Sequence, residues 1–142
     1  MEIKRYSPKV DRYYIGIAIL ANLLVVVPTL IVSFFDVSGL YILIFTLLFV
    51  NYFIFSPFFG YVELREDAVF VKYGVFLKRT IPYSKIRGVA LDRKWYSESM
   101  LSLKCAIDHV NIKYEGYNVT SVSVKDNGAF IYALNECIAA SR

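Results

Sequence analysis

The chain has 142 residues, 16 Lys and Arg against 12 Asp and Glu for a formal charge of +4, and an apolar content of 57%. Two cysteines and a single histidine at ordinary spacing exclude a zinc centre. The mild basicity, without base-stacking or groove-reading motifs, excludes a nucleic-acid partner.

Residues 13–35 and 40–59 are two apolar runs without a charge, separated by Asp36-Val37-Ser38-Gly39. At ~1.5 Å rise per residue they form helices of roughly 34 and 30 Å, against a hydrocarbon core about 30 Å thick. The expected arrangement is a transmembrane hairpin over residues 13–59, preceded by a basic flank over residues 1–12. The eighty or so residues that remain could not wrap two helices apolar on every side. The first run exceeds a signal h-region, lacks a small-x-small cleavage pattern and is followed at once by a second span, so it is expected to persist as an anchor.

Lys4, Arg5, Lys9 and Arg12 precede the first span, only Asp36 lies between the spans, and Arg65, Lys72, Lys78 and Arg79 follow the second. This asymmetry predicts a two-pass protein of the cell membrane with both termini cytoplasmic. Tyr13, Tyr14, Tyr41, Tyr52 and Tyr61 sit at or near the span ends, where amphipathic rings favour the headgroup level. Inside the spans Pro28, Asn51 and Pro57 stand out, and none is ionisable. Pro28 is expected to bend the first helix, Pro57 to end the second, and Asn51 to bond across the hairpin.

Residues 60–142 change to short alternating stretches, the pattern of a water-soluble β domain. Strands are predicted over 61–65 and 69–73 around the turn Glu66-Asp67, over 75–81 after Gly74, and over 86–91. An irregular polar stretch over 92–102 holds the only tryptophan, Trp95. Two further strands follow, in which Val110, Ile112 and Tyr114 alternate with His109, Asn111 and Lys113, and Thr120, Val122 and Val124 alternate with Ser121 and Ser123, giving each an apolar and a polar face. Asp126 caps a closing helix over 127–140, whose Phe130, Leu134, Cys137 and Ile138 share one face. A bent antiparallel sheet plugged by one helix, as in pleckstrin-homology (PH) folds, accounts for this order. Cys105 and Cys137 are read as small buried apolar side chains in a reducing compartment. His109 lacks a second histidine, a nucleophile at convincing spacing and a glycine-rich loop, so its role is structural and no catalytic or cofactor site is predicted.

Ile81-Pro82-Tyr83-Ser84-Lys85-Ile86, then Leu101-Ser102-Leu103 with Asp108-His109 displaced behind it, then Val122-Ser123-Val124-Lys125-Asp126 leading to Phe130 and Leu134, fall in an order that resembles the small bacterial PH-like domain of the YyaB-type membrane-anchored proteins. His109 stands where that family has Arg, and Val124 where it has Pro. The resemblance implies an α+β membrane protein, a two-helix transmembrane hairpin followed by a small PH-like antiparallel β domain closed by a C-terminal helix. It implies no activity.

Lys78, Arg79, Lys85, Arg87, Arg93 and Lys94 are opposed in their own stretch only by Asp92, with Trp95 and Tyr96 beside the last of them. On one face they would attract an anionic inner leaflet at about 1 kcal/mol per residue reaching it. The expected function is therefore a non-enzymatic, membrane-anchored module that recognises membrane lipid or another membrane protein. The alternative is a bacteriocin or toxin immunity protein.

Overall fold

The computed structural model describes residues 2–94, 96, 99 and 102–142. Two helices stand out from a β domain: α1, Arg12–Ser33, and α2, Ser38–Phe55, which continues into a 3-10 turn, Ser56–Phe59. Asp11 caps α1 by accepting from the Tyr14 amide at 3.1 Å. α1 runs unbroken through Pro28, and α2 passes into the 3-10 turn at Pro57. Each apolar stretch, Arg12–Ser33 and Ser38–Phe59, has 22 residues, long and apolar enough to cross a membrane. α1 has no buried residue and α2 only Gly39, so neither helix serves as the core of the domain.

Asn51 bonds across the hairpin as expected, but to a residue the sequence reading passed over. Its Nδ2 donates to Asn22 Oδ1 at 2.8 Å, and Asn22 Nδ2 donates back at 3.3 Å. Each amide also donates to the carbonyl four residues earlier in its own helix, Ala18 and Leu47 at 2.9 Å. Tyr14 Oη donates to the Ile54 carbonyl at 2.5 Å, tying the pair at its end nearest the β domain.

Among the described residues the domain has two four-stranded sheets and a closing helix. In the first, β1 (Lys4–Tyr6), β2 (Tyr61–Leu64), β3 (Ala68–Lys72) and β4 (Lys78–Pro82) form an antiparallel series. The second contains β5 (Ile86–Arg93), β6 (Ser102–Leu103), β7 (Asp108–Tyr114) and β8 (Asn118–Val122) in the order β5-β7-β8-β6, with β6 parallel to β8. A 3-10 turn, Tyr83–Lys85, carries the chain from one sheet to the other, and buried Tyr83 donates its hydroxyl to the Arg65 carbonyl at 2.6 Å. α3 (Asn127–Ser141), capped by Asp126 through the Ala129 amide at 2.9 Å, presses Phe130, Leu134, Cys137 and Ile138 onto Val62, Val69, Ile81, Val110, Ile112 and Val122.

The structure corrects one expectation and adds two arrangements. The basic flank is structured: β1 pairs with β2 in the register Lys4 to Leu64, Arg5 to Glu63 and Tyr6 to Val62, and isolated bridges join Pro8 to Val124 and Val10 to Cys105. Charge alone said nothing of the free edge of β2 that this segment covers. The strand expected over 75–81 begins only at Lys78, because residues 75–77 form a loop closed by the Tyr73 amide on the Leu77 carbonyl at 2.8 Å. Finally, most of the polar faces of β7 and β8 lies inside the domain, with Lys113 exposed. His109, Asn111, Ser121 and Ser123 are all buried, with Ser121 Oγ donating to Asn111 Oδ1 at 2.7 Å and His109 Nδ1 at 2.9 Å from the Ile107 carbonyl. Cys105 and Cys137 are free and buried.

Candidate binding surface

The strand register locates the basic residues relative to the helices. Ile107, whose amide donates to the Asp11 carboxylate at 2.9 Å, lies beside the start of α1, and Asp108 at the head of β7 pairs with Arg93. Arg93 and Lys94 therefore lie at the helix end of the second sheet. Ile86 pairs with Tyr114 at the other end of the same ladder, so Lys85 and Arg87 lie far from the helices. In the first sheet Lys78 pairs with Lys72, and an added Cβ on Gly60 would sit 2.5 Å from the Lys72 carbonyl, so Lys78 is again at the helix end.

The six residues thus do not make one patch. Lys85 pairs with Glu115, Arg93 with Asp108 at 3.3 Å and Lys94 with Asp92 at 3.4 Å. Arg79 donates to the Tyr114 hydroxyl. Alternation along β4 puts Lys78 and Arg79 on opposite faces. Trp95 lies outside the described residues.

A different surface gathers cations. On the first sheet Val62, Leu64, Val69, Val71 and Ile81 enter the core, which leaves Tyr61, Glu63, Phe70, Lys72, Lys78 and Thr80 on the opposite face, in the cross-strand rows set by the register. Arg5 joins from β1. Its guanidinium donates to Glu63 Oε1 at 2.9 and 2.6 Å and lies 4.3 Å from the centroid of the Tyr61 ring, which Lys72 approaches from 5.6 Å. Arg65 donates to Glu63 Oε2 at 3.0 Å and stacks 4.0 Å from Phe70. Arg5, Arg65, Lys72 and Lys78 thus share a face with one carboxylate, Glu63, which the two arginines hold, a local excess of three positive charges. Burial opposes ionisation of Glu63, but the hydrogen bonds from Arg5 and Arg65 outweigh it and hold the carboxyl below its ordinary range. Period-two alternation over 61–65 and 69–73 could have placed Tyr61, Arg65 and Lys72 here. No sequence signal could have brought Arg5.

This face ends at the helices, where the packing is close. An added Cβ on Gly74 would lie 2.1 Å from Ser56 Oγ, and one on Gly60 would lie 2.5 Å from Leu103 Cδ1. The β3–β4 loop leans on α2 there, with the Phe76 ring 6.4 Å from that of Tyr52. A groove of about 510 Å³ runs between them, bordered by Tyr52, Ser56, Tyr73, Phe76 and Leu77. A second groove of about 420 Å³ lies along the helical pair beside Asn22 and Asn51, with Ala18, Leu23 and Ile54 in its wall.

Two short sheets enclosing one core, closed by a C-terminal helix and carried on a pair of apolar helices, define a helix-tethered PH-like module. Residues 60–137, 78 of the 142, match the family model described as Bacterial PH domain, and the chain belongs to that family. No curated protein and no solved structure matches the chain.

Proposed function

We propose that this protein is a non-enzymatic, two-pass membrane-anchored binding module whose domain lies against the inner leaflet and recognises its anionic lipid surface. The observation that carries this reading is the route of the chain. β1 precedes the helical pair and β2 follows it, yet the two are hydrogen-bonded neighbours, so the helices are tied to the domain at both ends. A domain held in this way presents the helix end of its cationic face, Lys72 and Lys78, to the headgroups. Each basic residue that reaches an anionic surface contributes about 1 kcal/mol, and the attraction falls away within a Debye length.

The test uses the full chain in nanodiscs, because a fragment starting at Tyr61 would lack β1. Amide hydrogen exchange over residues 72–80 is compared in discs of phosphatidylglycerol with phosphatidylcholine and in discs of phosphatidylcholine alone. Protection is expected to be greater in the anionic discs, to fade towards 1 M salt, and to lose its lipid dependence in Lys72→Gln/Lys78→Gln. Equal protection in both discs at low salt would reject lipid recognition and leave a membrane-protein partner as the better account.

A further inference from the structure

The loop between β3 and β4 is built unlike a solvated turn. Val75, Phe76 and Leu77 are consecutive, large and apolar, and they are 41%, 79% and 57% exposed. Three exposed apolar residues in a row are unfavourable in water unless something covers them. The tightness of the loop, closed by the Tyr73 amide on the Leu77 carbonyl, holds these side chains outward rather than letting them fold back.

What covers them follows from where the loop stands. Phe76 lies against Tyr52, and Tyr52 is seven residues short of Phe59, where the apolar stretch ends. At ~1.5 Å per residue Tyr52 is roughly 10 Å inside the end of that stretch, and the Phe76 ring stands 6.4 Å from its ring. The exposed apolar surface of α2, with Phe53 59% and Phe49 57% exposed, continues directly beside it. Lys72 and Lys78, the last residue of β3 and the first of β4, flank the loop and pair across its base. An apolar tip with a cationic collar matches the layering of a leaflet, acyl chains below and phosphates above, and long lysine stems reach the phosphates while their bodies stay in apolar surroundings.

We propose that residues 74–77 form a wedge that inserts into the headgroup–acyl boundary of the bilayer beside α2, with Lys72 and Lys78 on phospholipid phosphates and an acyl chain in the groove between Phe76 and Tyr52. The wedge rests on the membrane anchoring proposed above and adds a second, non-helical contact with the same leaflet. It fixes the orientation of the domain, since a module held by helices and loop together cannot turn freely about the helix ends.

The experiment places a nitroxide at one introduced cysteine in the full chain reconstituted in phosphatidylglycerol and phosphatidylcholine vesicles, at Phe76→Cys, at Leu24→Cys in α1, or at Tyr117→Cys in the exposed β7–β8 turn. Both native thiols are buried, and burial pushes that of Cys105 up to about 11, so the label goes to the introduced site. Accessibility to oxygen, which concentrates in lipid, is compared with accessibility to a water-soluble nickel chelate. The oxygen-to-nickel ratio is expected to be highest at Leu24, several-fold above the Tyr117 value at Phe76, and aqueous at Tyr117. With the label at Val75→Cys and Phe76→Asp beside it, the ratio should fall to the Tyr117 value. A lipid-like ratio at Leu24 with an aqueous one at Phe76 would overturn the wedge and leave the anchoring intact. Aqueous ratios at both would overturn both.

Discussion

Arg5→Ala tests most directly whether the segment ahead of the helices belongs to the domain. Arg5 makes two hydrogen bonds to Glu63 Oε1 and covers the Tyr61 ring. Hydrogen bonds to a charged group contribute about 1.5–3 kcal/mol where protected, and a guanidinium over an exposed ring about 0.5–1 kcal/mol. The Arg5 side chain is 62% exposed, however, so water screens most of that, and pairs of this kind contribute about 0.2–1 kcal/mol. Glu63 is only 7% exposed but keeps Arg65 when Arg5 is lost, so the substitution does not orphan a buried charge. The expected loss is about 1 kcal/mol of domain stability, with a coupling of about 0.5 kcal/mol in a double-mutant cycle with Glu63→Gln.

The assay is pulse proteolysis of the full chain in detergent micelles across a urea series. Because the folded carboxyl of Glu63 titrates below its ordinary range, the contribution of the pair is fully present above about pH 4.3 and disappears as pH falls through the lowered value. The Arg5→Ala deficit should therefore shrink on acidification. A deficit below about 0.2 kcal/mol at neutral pH, unchanged by acidification, would show that Arg5 does not pair with Glu63.

In the same assay Leu134→Ala, which empties a fully buried site under the first and second sheets, should cost about 2–5 kcal/mol, while Glu136→Ala on the exposed face of α3 should stay within about 0.5 kcal/mol. Equal sensitivity of the two would show that α3 does not plug the domain. Reporters at residue 2, at Ser38 and at residue 142 should read inside, outside and inside. Opposite sides for the two ends would contradict both the basic-flank argument and the pairing of β1 with β2.

The candidate surface was less legible in the sequence than the elements that carry it. A run such as Lys78 to Lys94 counts neighbours along the chain, whereas a surface depends on which strand face each residue takes and which carboxylate the fold brings near. Asp108 and Glu115, remote from Arg93 and Lys85 in sequence, neutralise them across the second sheet and its turn. Asn22 finds its partner only through the packing of α1 on α2, which sets Asn51 opposite it.

The two helices, the family and the amphipathic closing helix can be read from residue order alone. These follow from length, local periodicity and capping, all written within a dozen or two consecutive residues, as in the run of residues 13–35 or the step from Asp126 to Ile138. Folding alone makes residues 4–6 the outer strand of a sheet whose next strand lies beyond the helical pair, and so brings Arg5 onto the face of Arg65, Lys72 and Lys78. It also places Phe76 against Tyr52. Strand pairing and close approach of backbones join residues tens of positions apart, and their energies depend on a register that local patterns do not encode.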